Sequence, residues 1–201
     1  MIVGITGPSG AGKGCVTRVF ENRGFDIIDA DRIAREIVMP GQPTLAALTL
    51  EFGPDILCPD GSLNRRALAA TAFASRQRTD ALNRIMHGDI CCRMRKLAAL
   101  SAQNGNNCVF DAPLLIESGL IDNCDVSIAV IAPQEIRIHR LTVRDGLTES
   151  EIRSRLSRQH HDGYYTSRCD YTIINDGDFD SLIDQAGSLA DRILLRDSFY
   201  S

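Results

Sequence analysis

The sequence predicts an α/β protein: a three-layer sandwich around a five-stranded parallel sheet, with an inserted helical lobe and a helical lid. Three observations lead there. Short β-rich runs alternate with longer helical ones, the pattern of parallel strands joined by helical crossovers. A glycine-rich turn stands between the first such run and the first helix. The alternation is broken once, by residues 64–103, which have helical character and no strand signal. At 201 residues, against roughly 150 per domain, the chain has room for one domain with an inserted lobe.

The elements follow in order. Residues 2–6 (IVGIT) read as a buried strand, and a helix over about 13–23 follows the glycine turn. Residues 25–28 (FDII) read as the second strand, with a helix around 31–38. Pro40-Gly41-Gln42-Pro43 punctuates the chain before a helix over about 44–52. Asp60-Gly61-Ser62-Leu63-Asn64 is a turn that ends on a good helix N-cap, ahead of the stretch RRALAATAFA. Residues 108–110 (CVF) and 126–131 (VSIAVI) resume the strand pattern, and 171–174 (YTII) supply the last strand. Helices are expected over 133–144 and 179–195, with a charged segment over 145–168. The predicted division is a core of about 1–60 and 105–201, a lobe of about 61–104 and a lid of about 137–168.

Composition narrows the function. The 22 basic and 26 acidic residues give a formal net charge of −4 and a pI near 5.5, which disfavours nucleic-acid or membrane-surface partners. Hydrophobic residues make up 44% and charged ones 24%, as in an ordinary globule. No apolar run approaches the roughly 20 residues of a membrane span, and the N-terminus lacks the basic region of a secretory signal, so a cytoplasmic location is expected. Seven cysteines, at 15, 58, 91, 92, 108, 124 and 169, are odd in number and form no C-x-x-C pair. They suit neither a disulfide framework nor structural zinc, and read as small buried hydrophobes. Lys13 and Lys96 are the only lysines; the other basic residues are arginines.

The first chemical motif is Gly7-Pro8-Ser9-Gly10-Ala11-Gly12-Lys13-Gly14. It matches G-x-x-x-x-G-K directly after a strand and at the start of a helix, the context in which such a loop binds a nucleoside triphosphate. Glycines let successive N–H groups converge on phosphate oxygens, the helix N-terminus adds partial positive charge, and Lys13 supplies a point charge to the β- and γ-phosphates. The eighth position, where a Ser or Thr hydroxyl normally meets Mg²⁺, is Gly14, and Cys15 follows. A thiol is a poor substitute for that hydroxyl, because Mg²⁺ takes oxygen ligands.

The second motif is Ile28-Asp29-Ala30-Asp31-Arg32-Ile33-Ala34, at the carboxyl end of the second strand, where open α/β sheets bind ligands. Asp31 there suits either of two roles: accepting a proton from a substrate hydroxyl, or capping the next helix.

With these motifs in order and at this spacing the chain resembles the dephospho-CoA kinase family, nearly end to end. The resemblance is carried by the loop at 7–13, IDADRIA at 28–34, PGQP at 40–43, FGPDIL at 52–57 and DGSLNR at 60–65. It continues through Leu82-x-x-Ile85-Met86-His87, PLLIE at 113–117, Arg140-x-x-x-Arg144-Asp145, Gln159, and 170–175 with Gly177. The loop alone also looks like those of adenylate and cytidylate kinases; IDADRIA, DGSLNR and PLLIE separate it from them. The resemblance implies a P-loop kinase fold and transfer of the ATP γ-phosphate to the ribose 3′-hydroxyl of dephospho-CoA, with Mg²⁺. The implied molecule is a monomer or weak homo-oligomer whose partners are these two small molecules.

Residue by residue, the resemblance makes Lys13, Asp31 and Arg140 the catalytic set, with Asp31 as base and Arg140 at the start of a lid that contacts ATP phosphates. Gly10, Ala11, Gly12, Lys13, Gly14, Cys15, Arg140, Asn175 and Gly177 are the expected nucleotide contacts, the last two bordering the adenine. Asp31, Arg65, His87, Asp111, Leu114 and Glu117 are expected on the acceptor side, and no residue is assigned to a resident metal. Arg137, Arg144, Arg153, Arg155 and Arg158 crowd the same lid; after Arg140 only Arg144 stands out among them, and the others read as solvated helix faces. His160-His161 reads likewise. Departures from the family pattern are Asn64 for Asp, Asn83 for Glu, Ala69 for Arg and Gly88 for Pro, all in the helical lobe.

Overall fold

Five strands, β1 (Ile2–Thr6), β2 (Asp26–Asp29), β3 (Cys108–Asp111), β4 (Val126–Ile131) and β5 (Tyr171–Ile174), form one sheet in the order β2-β3-β1-β4-β5 in this computed structural model. The pairs β1–β3, β1–β4 and β4–β5 are parallel, so their carboxyl ends share one edge. The structure describes residues 1–200, with side chains through 195. The chain divides into two compact units, Met1–Ile28 with Ala98–Ser201, and Asp29–Leu97.

In the first unit, α1 (Lys13–Glu21) and α9 (Phe179–Tyr200) pack together over the sheet. Val3, Ile5, Val109, Ile128, Val130 and Ile173 of the strands meet Val16, Val19 and Phe20 of α1 and Leu182, Ala186 and Ile193 of α9 in one buried cluster. Each large aliphatic side chain buried there contributes about 1.5–3 kcal/mol. The second strand lies one residue later than the run FDII suggests. Phe25 is drawn into the core before the strand begins, its ring edge-on to Phe20 with centroids 5.2 Å apart. The third strand runs on through Asp111, which pairs in register with Ile5. Helix α6 (Gln134–Asp145) and α7 (Glu149–Leu156) close on a cluster of their own, Ile138, Leu141, Ile152 and Leu156, and α8 (Asp162–Thr166) follows.

The second unit has a separate core. Val38, Leu48, Phe52, Ile56, Leu68, Ala72 and Ala81 are buried against one another. They tie the residues that follow α2 (Ala30–Glu36) and helix α3 (Pro43–Phe52) to α4 (Arg65–Ala72) and the first turns of α5 (Arg76–Gln103). This explains why the unit starts at Asp29, well upstream of the 61–104 block. Helix content alone marks α4 and α5, but the apolar faces they need come from Ile37 and Val38 after α2, from α3 and from the 3-10 turn Pro54–Ile56. Residues 73–75 break the long helical block in two, with the Thr79 hydroxyl bonding the Ala72 and Ser75 carbonyls across the break. Among the described residues, no helix is long and apolar enough to cross a membrane.

Candidate active site

The loop between β1 and α1 is held open by backbone geometry. Gly7 has φ 139° and its missing Cβ position overlaps the Val130 carbonyl oxygen, so β4 passes too close for any side chain. Gly12, the N-cap of α1, has a left-handed φ of 102°, and a Cβ there would strike the Asn175 amide. No side chain caps α1, which leaves the helix N-terminus and its dipole to an anion. Lys13 Nζ donates to the Gly7 carbonyl at 2.7 Å and the Pro8 carbonyl at 3.2 Å, which lays the ammonium along the loop. Gly14 is exposed, and a Cβ built on it meets nothing within 4 Å. Cys15 turns its side chain to the core cluster and bonds its N–H to the Gly12 carbonyl at 3.0 Å.

Arg140 joins the loop through one intermediary. Its Nη2 donates to Asn175 Oδ1 at 3.0 Å, and Asn175 Nδ2 donates to the Ala11 carbonyl at 2.8 Å. Asn175 is 3% exposed and its backbone N–H bonds the Ile131 carbonyl, so the end of β5 carries it into place. Its amide is therefore spent on holding Arg140 to the loop; Gly177 follows two residues later. Arg140 Nη1 is buried and has no partner. An unpaired buried donor costs about 1–3 kcal/mol, a penalty that an anion at this position removes. Arg137 does not share the solvated face expected of the lid arginines. It is 7% exposed, with its backbone against Gly10 and its guanidinium 3.6 Å from Asp162. Arg144 pairs with its neighbour Asp145 at 2.6 Å, and Arg155 meets the same carboxylate at 3.0 Å.

Asp111 leaves the end of β3 beside β1. Its Oδ2 accepts from the Thr17 hydroxyl at 3.0 Å. Thr17 was not legible as functional from its own motif, but it stands four residues after Lys13, one helical turn along the same face of α1. Together Asp111 and Thr17 present hard oxygen donors, the type Mg²⁺ takes. Among the described residues no group of three or more His, Cys, Asp or Glu is placed to hold a metal. An ion that arrives with a nucleotide and keeps its waters needs only one or two protein oxygens, so this pair fits it. Glu117, further along the same connection, lies 3.6 Å from His160 Nε2, so His160 is not simply a solvated face. Leu114 is 47% exposed.

Three of the expected acceptor-side residues belong to the second unit. Asp29 caps α2, its Oδ1 accepting from Asp31 N–H at 2.7 Å and Arg32 N–H at 3.0 Å. The cap is thus two residues earlier than a capping Asp31 requires, and Asp31 is left exposed in the first turn. Arg65 is the exposed first residue of α4, after the N-cap Asn64, whose Oδ1 accepts from Ala67 N–H at 3.0 Å. Asn performs that cap as well as the Asp of the family pattern. His87 lies in α5, half-buried.

The fold is similar to that of TT1252 from Thermus thermophilus, with a TM-score of 0.77 at 29% identity over 95% of this chain and 97% of that one. It is also similar to a dephospho-CoA kinase from Campylobacter jejuni, with a TM-score of 0.73 at 21% identity over 96% of each chain. A glycine loop with its lysine, at the carboxyl end of the central strand of this sheet, is a P-loop on the fold of the P-loop kinases. The model of the dephospho-CoA kinase family matches residues 1–181, and the dephospho-CoA kinase of Corynebacterium efficiens is 42% identical over 195 residues, 96% of this chain and 98% of its own. The chain belongs to the dephospho-CoA kinase family, enzymes that transfer a phosphoryl group from ATP.

Proposed function

We propose that the protein transfers the γ-phosphoryl of ATP to the 3′-hydroxyl of dephospho-CoA, giving ADP and coenzyme A. The observation that carries this reading at the site is Arg140. It offers a buried, unpartnered donor and is tied through Asn175 to the phosphate loop. ATP phosphates take the loop amides, the α1 N-terminus and Lys13, while Arg140 meets the transferring group. Asp31 accepts the proton of the 3′-hydroxyl as that oxygen attacks the γ-phosphorus and the bond to the β-phosphate oxygen breaks. Lys13 and Arg140 neutralise the charge that moves onto the leaving oxygen. Arg65 and His87 serve the acceptor. Asp111 and Thr17 would hold a Mg²⁺ ion that arrives with ATP, which would supply further neutralisation of the phosphate oxygens. The reading carries with it a cytoplasmic enzyme that needs no nucleic-acid or membrane partner, in keeping with the net charge of −4.

The test is ADP release from purified protein with ATP and Mg²⁺, offered dephospho-CoA, CMP or GMP separately. Turnover with dephospho-CoA alone is expected. Turnover with a monophosphate overturns the assignment of the acceptor.

A further inference from the structure

The segment 157–162, from the end of α7 to the first residue of α8, is fastened to the rest of the first unit at three points. Gln159 Oε1 accepts from the Ser9 N–H at 3.0 Å, and Gln159 Nε2 donates to the Ser9 hydroxyl at 2.8 Å. His160 lies 3.6 Å from Glu117 and stacks on Tyr164, with ring centroids 3.7 Å apart. Asp162 faces the buried guanidinium of Arg137, whose backbone abuts Gly10 of the loop. Two of the three attachments therefore end on the phosphate loop or directly behind it, and the mechanism above uses none of them.

Gln159 makes the direct one. Its carboxamide holds a single residue of the loop with both of its polar ends, so the position of Ser9 depends on where this segment sits. The chemistry of the choice is informative. A carboxamide is neutral and carries a donor and an acceptor at fixed separation. It grips the loop without setting a carboxylate beside the phosphates, and without a cation that would compete for them.

We propose that Gln159 is a positioning residue that sets the Ser9 end of the phosphate loop for ATP, and so couples the α7–α8 connection to nucleotide binding. This deepens the proposed function and rests on it, yet ATP affinity can be read without any acceptor.

The experiment compares wild type, Gln159→Ala, Ser9→Ala and the double variant by equilibrium titration with Mg·ATP, by KM and kcat for ATP and dephospho-CoA, and by thermal midpoint. Gln159→Ala is expected to weaken ATP binding about three- to tenfold, the range of one or two hydrogen bonds, with KM for dephospho-CoA unchanged. Ser9→Ala, which loses only the hydroxyl contact, weakens it less. Adding Ser9→Ala to Gln159→Ala changes nothing further, since the two share one interaction. A lowered midpoint with unchanged ATP affinity would mark a merely structural residue and overturn the proposal, as would effects that multiply in the double variant. Should Gln159→Ala not fold, Gln159→Met decides instead. It keeps the length of the side chain and loses both hydrogen bonds to Ser9, so ATP affinity is expected to fall about three- to tenfold. Wild-type affinity in that variant overturns the proposal. Wild type that binds ATP but leaves dephospho-CoA untouched defeats the proposed function while the titrations still decide on Gln159. No ATP binding by wild type defeats both.

Discussion

Asp29 and Asp31 lie two residues apart with the same side chain, and hydrogen bonding separates their roles. Asp29 is committed to the α2 cap, whereas the Asp31 carboxylate is exposed. Asp31→Asn is therefore expected to lower kcat by about 10²–10⁴ while ATP affinity holds. Full turnover in that variant removes Asp31 from the mechanism. Gly14 has open space around its Cβ position and no positive φ, so Gly14→Ser should fold normally. Its new hydroxyl is expected to reduce the Mg²⁺ concentration needed for half-maximal turnover; an unchanged Mg²⁺ requirement would show that Thr17 and Asp111 already suffice. Cysteine chemistry is also decided residue by residue. Burial pushes the Cys124 thiol up to about 12 and those of Cys108 and Cys169 to about 11. Against the expectation that all seven are buried, only Cys91 and Cys108 are; Cys15, Cys58, Cys124 and Cys169 are half-buried and Cys92 is exposed. Maleimide at pH 8 should label Cys92 in the native protein and spare Cys108 and Cys124; rapid labelling of either spared thiol contradicts the burial described above.

At the scale of elements, local signals and tertiary demands agree most closely where a cap is present. Thr148 and Glu151 form a reciprocal capping box at the start of α7, with Glu151 accepting from the Thr148 N–H at 2.9 Å. The hydrogen bond from the Thr148 hydroxyl holds the Glu151 carboxyl below its usual range. A lowered folded value means that the stabilisation is present above the ordinary Glu pKa, about 4.3, and is lost as pH falls through the folded value. Melting of wild type and Glu151→Gln should thus differ slightly at neutral pH and converge in acid. A difference that grows on acidification contradicts the cap. Where no cap exists the element is shaped by something else. α1 begins on an uncapped glycine because its N-terminus is given to the ligand, a local weakness exchanged for an anion site.

For the whole molecule, two cores matter more than one length. The sheet with α1 and α9 carries the loop, Arg140, Asn175 and Asp111, while the Asp29–Leu97 unit carries Asp31, Arg65 and His87 on a core of its own. Nucleotide binding should stabilise the first of these most directly. At 100 times Kd, Mg·ATP is expected to add about 2.7 kcal/mol and raise Tm by about 5–10 °C. Hydrogen exchange should slow chiefly over 7–17, around Arg140 and at Asn175. Equal slowing throughout the Asp29–Leu97 unit, with none at the loop, would place the nucleotide elsewhere.

Strand order, the phosphate loop and Lys13 were readable from residue order, because each depends on local periodicity or on spacing within a few residues; Asp31 was left between base and cap by its own motif, and the resemblance to the family singled it out together with Arg140. The strands over 126–131 and 171–174 match to the residue, since apolar runs bounded by turns leave them little freedom. What spacing does not reveal is which polar groups meet across the fold. That Asn175 holds Arg140 to Ala11, that Thr17 meets Asp111, and that Gln159 reaches Ser9 across 150 positions are outcomes of strand order and helix packing. The same holds for Arg137, which looks like its solvated neighbours in the sequence and is buried only because α6 lies against the loop. Local chemistry is written along the chain; partners distant in sequence are chosen only when the sheet brings them together.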